Sequence, residues 1–394
     1  MPRRRKKESG GANAREQKNG VLKRAWRSKE RNHIMDILIR KERESDYYAS
    51  ELVTKRAFWN KYNPGCSEHY LVHRLREDAA YLPELGRVAE ADGKVVGLIM
   101  YSKAVLKRPA KTETAETPAH KPEEIPILCF GPLCVDPDYQ GKGIGGALIA
   151  ETKKLAAEAG YAGIVIFGEP DYYSRHGFRT CDTWGITTAD GKNFDAFMGC
   201  ELTPGGLNYP GAGFYEAKVF ENLPEAEIEA YDKQFPQMPK LRLPGQWGNK
   251  MQYRVMTEED IRRVIPLYME QYNEYDGGTW TEAAVYKRIH QVWSREDSLC
   301  LLLEEEGEIL GFAMGNMEQY DDCAAYDLIE IVIAHAHQRK GLGTAFLREL
   351  EKRVKKMGAS LVQLSAVNDR MHEVFYGKLQ YKDADSLKIK TKWL

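Results

Sequence analysis

Hydrophobic and polar positions alternate along the chain in a pattern that predicts two successive groups of strands and helices. In the first group, two apolar runs flank Asp92-Gly93, which is typical of a tight β-hairpin. A glycine-rich turn then separates an apolar strand from a helix, as in strand–helix–strand units on a sheet. The other predicted elements are strands at 37–40, 127–135 and 162–167, and helices from 44 or 45 to about 62, near 68–76 and at about 144–159.

The second half of the chain repeats this order of elements. Thr257 is predicted to cap a helix that follows a strand, with Asp260 in the first helical turn. Two strands about a glycine turn are predicted next, in SLCLLLEEEGEILGFAMGNM. A strand at 326–333, a helix at 342–357 and a strand at 361–367 complete the group. Repetition of a whole set of elements indicates two similar domains.

Two segments differ in composition from their surroundings. Residues 107–124 are polar and rich in Pro and Thr, which predicts a mobile loop. Pro and Gly cluster between about 224 and 248, which predicts an inter-domain linker. The predicted organisation is a tail at 1–34, a first domain with a C-terminal extension at 35–222, a linker at 223–250 and a second domain at 251–394.

Charge is unevenly distributed. Residues 1–34 carry twelve Lys or Arg and three Glu, a net charge of +9, whereas the chain of 394 residues carries −1. The other 360 residues therefore carry −10. No apolar segment follows the basic start, as an export signal would require. We expect a disordered tail, or a true start at Met35. An arm that binds nucleic acid or a membrane surface is the alternative.

Overall composition is typical of a globular protein. Hydrophobic residues make up 43% and charged residues 29%, which excludes a disordered chain. No apolar run reaches the roughly 18 residues of a membrane span, so we expect no membrane association. Seven scattered cysteines show no CxxC pair and no zinc-like spacing with histidine. We therefore expect free thiols, no metal site and a cytoplasmic location.

Each half contains the pattern Gln-x-x-Gly-x-Gly between a predicted strand and a predicted helix. The residues are Gln140, Gly143 and Gly145 in the first half and Gln338, Gly341 and Gly343 in the second. Glycines let backbone amides approach a ligand closely, and the N-terminus of a helix offers unpaired N–H groups, so this pattern favours an anion such as a diphosphate. A tight structural turn explains one copy better than two. Dinucleotide-binding and Walker motifs do not fit, because Leu148 and Phe346 replace the third glycine and no Gly-Lys-Ser/Thr occurs.

With these two loops the sequence resembles the GNAT acetyltransferase superfamily, whose pyrophosphate loop reads (Gln/Arg)-x-x-Gly-x-(Gly/Ala). The resemblance covers roughly residues 36–222 and 251–394. It implies an α/β fold with mixed sheets, two acyl-CoA N-acyltransferase domains in tandem, and acetyl-CoA as cofactor. The strand before each loop would bind the pantetheine arm and the loop would bind the pyrophosphate. The implied cofactor-binding residues are Leu133, Cys134, Val135, Gln140, Gly141, Lys142, Gly143, Ile144, Gly145, Ile331, Val332, Ile333, Gln338, Arg339, Lys340, Gly341, Leu342, Gly343 and Asn368.

A second GNAT signature, Tyr-x-x-x-Gly-Phe, follows each loop. The first half matches it fully from Tyr173 to Gly177-Phe178, whereas the second half has Tyr376 followed by Gln380-Tyr381. The first half also resembles a bacterial branch that reads Gly-Pro-Leu-x-Val before the loop. Gly131-Pro132 inside this apolar strand predicts a bulge.

The chemistry implied by the family needs a base. A lysine-like amine with a pKa near 10.4 costs about 4–5 kcal/mol to deprotonate at pH 7 before it can attack a thioester. Glu330 lies in the apolar strand DLIEIVI, eight residues before the loop glutamine, and is the candidate general base. An outward-facing strand glutamate is the alternative. In the first half the same offset falls on Pro132, so no base is identified there, and Glu169 and Asp171 are guesses.

The departing thiolate needs a proton. A tyrosine with a pKa near 10 matches a thiol of about 8.5–9. By family position Tyr173 and Tyr376 take this role, and a tyrosine that merely packs beneath the helix is the alternative in each half.

The residues together predict an N-acetyltransferase that moves an acetyl group from acetyl-CoA to a primary amine by direct attack in a ternary complex. Alternatively, one half is catalytic and the other is a scaffold or a non-catalytic acyl-CoA-binding module. A third hypothesis is an acetyltransferase that docks on nucleic acid through its tail. The acceptor is a small molecule or a protein. The −10 charge outside the tail favours cationic acceptors such as polyamines, aminoglycosides or lysine side chains, through electrostatic steering.

We predict that a protein starting at Met35 folds and binds CoA as the full chain does. Residues 1–34 lack apolar periodicity and so bury little surface on folding. Thermal unfolding and CoA titration of the two proteins check this, and a large drop in Tm on truncation would contradict it.

Overall fold

A computed structural model describes residues 36–110, 122–221, 223–384, 390 and 392. The predicted tail at 1–34 lies outside the described residues. The chain divides into two compact units, one with Asp36–Tyr253 and Glu304–Glu308, the other with Arg254–Leu303 and the residues from Ile309 onward. None of the described helices is long and apolar enough to cross a membrane.

The first sheet is mixed and has nine strands among the described residues. Its main path is β1-β2-β3-β4-β5-β8-β6, while β9 pairs with β3 and β7 pairs with β9. The strands are β1 Ile37–Lys41, β2 Arg87–Ala91, β3 Lys94–Arg108, β4 Glu123–Val135, β5 Gly163–Phe167, β6 Arg179–Thr180, β7 Thr187–Thr188, β8 Phe197–Glu201 and β9 Gly213–Tyr215. The accompanying helices are α1 Tyr47–Phe58, α2 Glu68–Glu77, α3 Ile144–Glu158, α4 Pro170–Tyr173 and α5 Glu225–Asp232.

The second sheet has five strands among the described residues, in the order β10-β11-β12-β13-β14. Its strands are β10 Met251–Val255, β11 Ser298–Glu305, β12 Glu308–Gln319, β13 Ala324–Ile333 and β14 Leu361–Leu364. Its helices are α6 Glu258–Met269, which continues into a π-helical turn at Glu270–Tyr275, α7 Glu282–Trp293, α8 Leu342–Lys356 and α9 Arg370–Lys378. The α/β class with mixed sheets predicted from the sequence is confirmed.

Both halves begin with the same connection from strand to helix. In the first, the Arg40 guanidinium of β1 lies 2.6 Å from the Asp46 carboxylate, which also accepts from the backbone N–H of Arg43. In the second, Arg254 of β10 binds Asp260 at 2.5 Å, and Asp260 accepts from the N–H of Thr257. The predicted Thr257 cap is confirmed as a capping box. The repetition therefore extends from element order to individual ion pairs.

The predicted hairpin at Asp92-Gly93 is confirmed. Ala91 pairs with Lys94, and both turn residues have positive φ, +50° for Asp92 and +74° for Gly93. Such left-handed pairs match the twist of antiparallel strands.

Two predicted boundaries differ from the structure. Strands β3 and β4 reach Arg108 and Glu123, which form an ion pair, so the strands extend into the predicted loop at 107–124. Residues 111–121 of that loop lie outside the described residues. Helix α1 ends at Phe58 rather than near residue 62, because Asn60 takes a left-handed φ of +59° and its Oδ1 accepts from the N–H of Gly65.

The segment predicted as a linker contains helix α5 and packs against α1 and α2. Lys55 of α1 is fully buried, and its Nζ lies 2.6 Å from Oδ1 of Asp232 and donates to the carbonyl of Pro236. His69 of α2 is also buried, and burial lowers its pKa to about 4, so the imidazole beside Asp232 is neutral near pH 7. The Pro-rich composition therefore corresponds to turns. The buried ion pair between Lys55 and Asp232 holds the segment against the first unit.

We predict that Asp232→Ala destabilises the protein by about 3–5 kcal/mol, because it leaves the Lys55 ammonium buried without its counter-charge. Glu229→Ala is the matched control on the same helix, since Glu229 is 57% exposed and forms a surface ion pair with Lys240. Its expected effect is at most about 1 kcal/mol. Urea unfolding measures both, and equal small effects would show that the segment is a flexible spacer.

Candidate active site

In both sheets two neighbouring parallel strands separate partway along their length. β4 and β5 pair only at Leu128↔Ile164. β13 and β14 pair from Ala325↔Leu361 to Leu328↔Leu364. Beyond these points no pairing between the two strands occurs within the described residues. The last part of β4 and of β13 therefore presents one backbone edge to an open cleft, while its other edge stays paired with β3 or β12.

A bulge lies at the start of each opening. In β4, Phe130 pairs with Tyr101 and Leu133 with Ile99, so Gly131 and Pro132 share one opposing position. The predicted bulge at Gly131-Pro132 is confirmed. In β13 the register shifts between Met314 and Gly315, which leaves Ile329 as the extra residue. Bulges re-aim side chains and end regular pairing, and both domains use one at the same place.

The first glycine-rich loop lies between β4 and α3. The amide Nε2 of Gln140 donates to the carbonyl of Val135 at 2.9 Å, and Nζ of Lys142 donates to the carbonyl of Asp138. Gly143 has a φ of +81° and precedes the first helical residue, with no side chain capping the helix. The loop is thus braced by side chains, and the N–H groups of the first turn of α3 stay available.

The second loop has the same conformation. Nε2 of Gln338 donates to the carbonyl of Ile333 at 2.9 Å, and Nζ of Lys340 donates to the carbonyl of Ala336. Gly341 has a φ of +80° and precedes α8, which also lacks a side-chain cap. Arg339 has a φ of +60° where the first loop has Gly141 at +76°. Each glutamine therefore shapes its loop, a structural function that the motif alone did not reveal.

The glycines of the two loops serve different purposes. A Cβ at Gly143 would meet nothing within 4 Å, so this position borders open space, and Gly341 shares its left-handed conformation with a φ of +80°. A Cβ at Gly145 would lie 2.4 Å from the hydroxyl of Tyr172, so this glycine allows α4 to pack closely on α3. The matching Gly343 lies beside Phe375 of α9.

Tyr173, the candidate acid of the first half, is largely buried at the end of α4. Its ring packs against Phe130 of β4 and Phe178. Within the described residues its hydroxyl has no hydrogen-bond partner, and burial raises its pKa above the usual value. The phenol therefore stays protonated throughout the physiological range.

Tyr376 of α9 lies in the corresponding place in the second half. Its ring contacts Phe375 and Tyr381. Burial and the nearby Glu330 carboxylate raise the pKa of Tyr376. The two residues predicted to act together in this half therefore interact electrostatically.

Gln380-Tyr381 form the same turn in the second half as Gly177-Phe178 in the first, despite the difference in sequence. Gln380 has a φ of +67° where Gly177 has +84°. The N–H of Tyr381 donates to the carbonyl of Tyr376 at 3.1 Å, as Phe178 does to Tyr173 at 3.3 Å.

Glu330 lies on β13 just after the bulge, with a side chain that is 12% exposed. Its carboxylate accepts from Arg288 Nη2 at 3.1 Å and from the hydroxyls of Tyr268 and Tyr272. The carboxylate is thus turned into the domain and held by three donors. Sequence analysis missed these donors. The spacing of Tyr268 and Tyr272, four residues apart on one helical face, was the only sequence feature that could have indicated them.

The remaining candidates are more exposed. Glu169 and Asp171 have exposed side chains around α4. Asn368 is exposed between β14 and α9. Leu133–Val135 and Ile331–Ile333 lie on the strand segments that border the clefts. All seven cysteines are free.

Comparisons with known proteins agree with this duplication. The chain matches a GNAT-domain acetyltransferase model over residues 83–180 and the GNAT-family acetyltransferase model over residues 262–379. It is 32% identical over 144 residues to the uncharacterized N-acetyltransferase YhbS of Escherichia coli, which is 36% of this chain and 74% of that protein. It is 33% identical over 112 residues to the uncharacterized N-acetyltransferase YjhQ of E. coli, 28% of this chain and only 55% of YjhQ.

Two solved structures were also compared. YhbS in complex with CoA has 26% identity and a TM-score of 0.39, covering 48% of this chain and 94% of YhbS. A GNAT acetyltransferase of Brucella melitensis in complex with acetyl-CoA has 28% identity and a TM-score of 0.35, covering 47% of this chain and 99% of that protein. On the two family matches and the YhbS relationship, the chain belongs to the GNAT acetyltransferase family and carries two of its domains in tandem.

Proposed function

We propose that each domain binds acetyl-CoA and that the chain transfers the acetyl group to a primary amine by direct attack in a ternary complex. The observation that carries this proposal is the repeated combination of an opened strand pair with an uncapped helix N-terminus. Unpaired strand groups suit the amide-containing pantetheine arm, and unpaired N–H groups of the helix suit a diphosphate.

In each domain the cofactor would extend from the strand to the loop. Leu133–Val135 and Ile331–Ile333 would bind pantetheine through their backbone. The loops from Gln140 to Gly145 and from Gln338 to Gly343 would bind the pyrophosphate, with open space beside Gly143 in the first loop. Asn368 would contact the cofactor of the second domain.

In the second domain Glu330 would take the proton of the amine and Tyr376 would protonate the departing sulfur. The three donors to Glu330 hold its carboxylate in a fixed orientation. An arriving ammonium would replace one of these donors or act through a water molecule. Tyr376, kept protonated by burial and by Glu330, is suited to donate to a thiolate.

The acceptor would be a cationic small molecule or lysine side chain. The chain outside the tail carries −10, which raises the local concentration of cations without specifying one. Variable loops around each cleft would determine which amine is accepted.

A second candidate function is that one domain is catalytic while the other binds acyl-CoA without turnover. It is favoured because the carboxylates predicted from the sequence differ between the two domains in burial and in their interactions. Glu330 interacts electrostatically with Tyr376, whereas Glu169 and Asp171 are exposed in the first domain.

We predict two acetyl-CoA sites per chain by calorimetry. Gly143→Trp should remove the first and Gly341→Trp the second, because each side chain would enter the space beside the uncapped helix N-terminus where the pyrophosphate would bind. Gly160→Trp and Gly358→Trp are matched controls at the opposite ends of α3 and α8, with φ of +84° and +104° and nothing within 4 Å of an added Cβ. They impose comparable backbone strain and should keep both sites. A single site that one substitution abolishes would support the one-domain alternative.

We predict that Glu330→Gln and Tyr376→Phe each slow turnover by about 10² or more while CoA affinity changes little. Thiol release from acetyl-CoA with spermidine, kanamycin and a lysine peptide measures turnover. Tyr173→Phe should matter less for the same acceptor. Tyr320→Phe, at an exposed tyrosine of the second domain, is the control. Loss of turnover in Tyr173→Phe with full activity in Glu330→Gln would reverse the assignment.

A further inference from the structure

The first domain contains a carboxylate that the motifs did not identify. Glu216 directly follows β9, which pairs with β3 at Val105↔Tyr215. Four residues later the ring of Phe220 packs against the β4 bulge, where a Cβ on Gly131 would lie 3.3 Å from Phe220 Cε1. The short segment from Glu216 to Phe220 therefore leads from the edge of β3 to the bulge of β4 at the start of the cleft.

The Cys129 thiol relates Glu216 to the candidate acid of this domain. Cys129 is buried on β4, two residues before the bulge. The Glu216 carboxylate contributes to the raised pKa of the Cys129 thiol, and that thiol in turn contributes to the raised pKa of Tyr173. Glu216 therefore interacts electrostatically with Cys129, and Cys129 with Tyr173, near the part of β4 that precedes the bulge.

Glu216 is partly buried and has no counter-charge. Within the described residues its carboxylate has neither a hydrogen bond nor an ion pair. Burial, with a smaller contribution from the carboxylate of Glu221, raises the pKa of Glu216 to about 7. Cys129 on β4 and Glu221 on its own segment interact electrostatically with Glu216, and neither supplies a positive charge. Lys218 is exposed to solvent.

We propose that Glu216 is the general base of the first domain, with Tyr173 of α4 as the acid. This rests on the proposed function, because it assumes that acetyl-CoA occupies the first cleft. Among the carboxylates considered for this domain, Glu169 and Asp171 are exposed, whereas Glu216 is partly buried and has no partner among the described residues. An unpaired carboxylate with a pKa near the working pH is what a proton acceptor for an ammonium needs.

The proposed reaction balances in protons and electrons. Glu216 takes one proton from the ammonium, and the neutral nitrogen forms a bond to the thioester carbonyl carbon. The carbon–sulfur bond breaks, its electron pair stays on sulfur, and the sulfur takes the proton of the Tyr173 hydroxyl. The second proton of the nitrogen then restores Tyr173, and Glu216 releases its proton to solvent. The products are the acetylated amine, CoA thiol and one proton.

A general base with a raised pKa destabilises the folded protein at neutral pH, whereas a carboxylate with a structural function would stabilise it. A carboxyl group with a folded-state pKa of about 7 and an unfolded pKa near 4.3 favours the folded state only while both forms are protonated. That stability is lost as the pH rises from about 4.3 to 7. Glu216→Gln should therefore raise Tm relative to the unsubstituted protein, with a difference that grows up to about pH 7 and is constant above it.

The test uses the full chain with Gly341→Trp, so that only the first site binds acetyl-CoA. Thiol release with spermidine, kanamycin and a lysine peptide is measured from pH 5.5 to 9. We expect a loss of activity below about pH 7, a decrease of about 10² on adding Glu216→Gln, and partial rescue by Glu216→Asp. Glu221→Gln should shift the midpoint of the acidic loss to lower pH. Glu158→Gln, an exposed carboxylate at the end of α3, is the matched control and should leave the profile unchanged.

The outcomes separate this proposal from the proposed function. Failure of the Gly341→Trp protein to bind any acetyl-CoA contradicts the proposed function of the first domain. Binding of acetyl-CoA without turnover of any of the three amines overturns the assignment of a base and makes this domain a binding module. Turnover that is unaffected by Glu216→Gln, or a variant that loses Tm above pH 7, overturns the assignment of Glu216.

Discussion

Separation of two parallel strands is the constraint on which the rest of each domain depends. β4 leaves β5 after Leu128, and β13 leaves β14 after Leu328. A strand edge inside a protein must satisfy its N–H and C=O groups elsewhere. The bulge, the braced glycine loop and the uncapped helix all border this opening. Together they form a cleft whose polar groups are backbone atoms, which explains how two domains with different side chains keep one geometry.

The two domains surround their carboxylates in different ways. Glu330 has a guanidinium and two phenols as donors, so its charge is stabilised before any ligand arrives. Glu216 has no donor among the described residues and lies in a less polar environment. A carboxylate held by several donors is well oriented, whereas a desolvated one is a stronger base near neutral pH than a fully exposed one. The duplicated fold therefore offers two distinct electrostatic settings for the same kind of chemistry.

Short-range signals were sufficient for the repeated elements and the loops. Asp92-Gly93 defines a hairpin, Thr257 and Asp260 define a helix start, and Gly131-Pro132 marks a bulge, because each depends on neighbours in the sequence. Partners that are distant in sequence were not accessible in this way. Lys55 pairs with Asp232, 177 positions later in the sequence. The composition of a Pro-rich segment does not indicate that its helix is held by a buried ammonium. Arg288 and Glu216 were missed for the same reason.

The left-handed positions of the two halves show that one backbone shape can have two thermodynamic origins. Gly141 and Gly177 adopt it without steric strain, but each adds conformational entropy to the unfolded chain. Arg339 and Gln380 adopt it in the second half with local strain in the folded state. In the first half the glycines lower the free energy of unfolding by raising the entropy of the unfolded chain. In the second half backbone strain lowers it by raising the energy of the folded state. The entropic contribution of the glycines to the free energy of unfolding grows with temperature, whereas the contribution of backbone strain stays nearly constant.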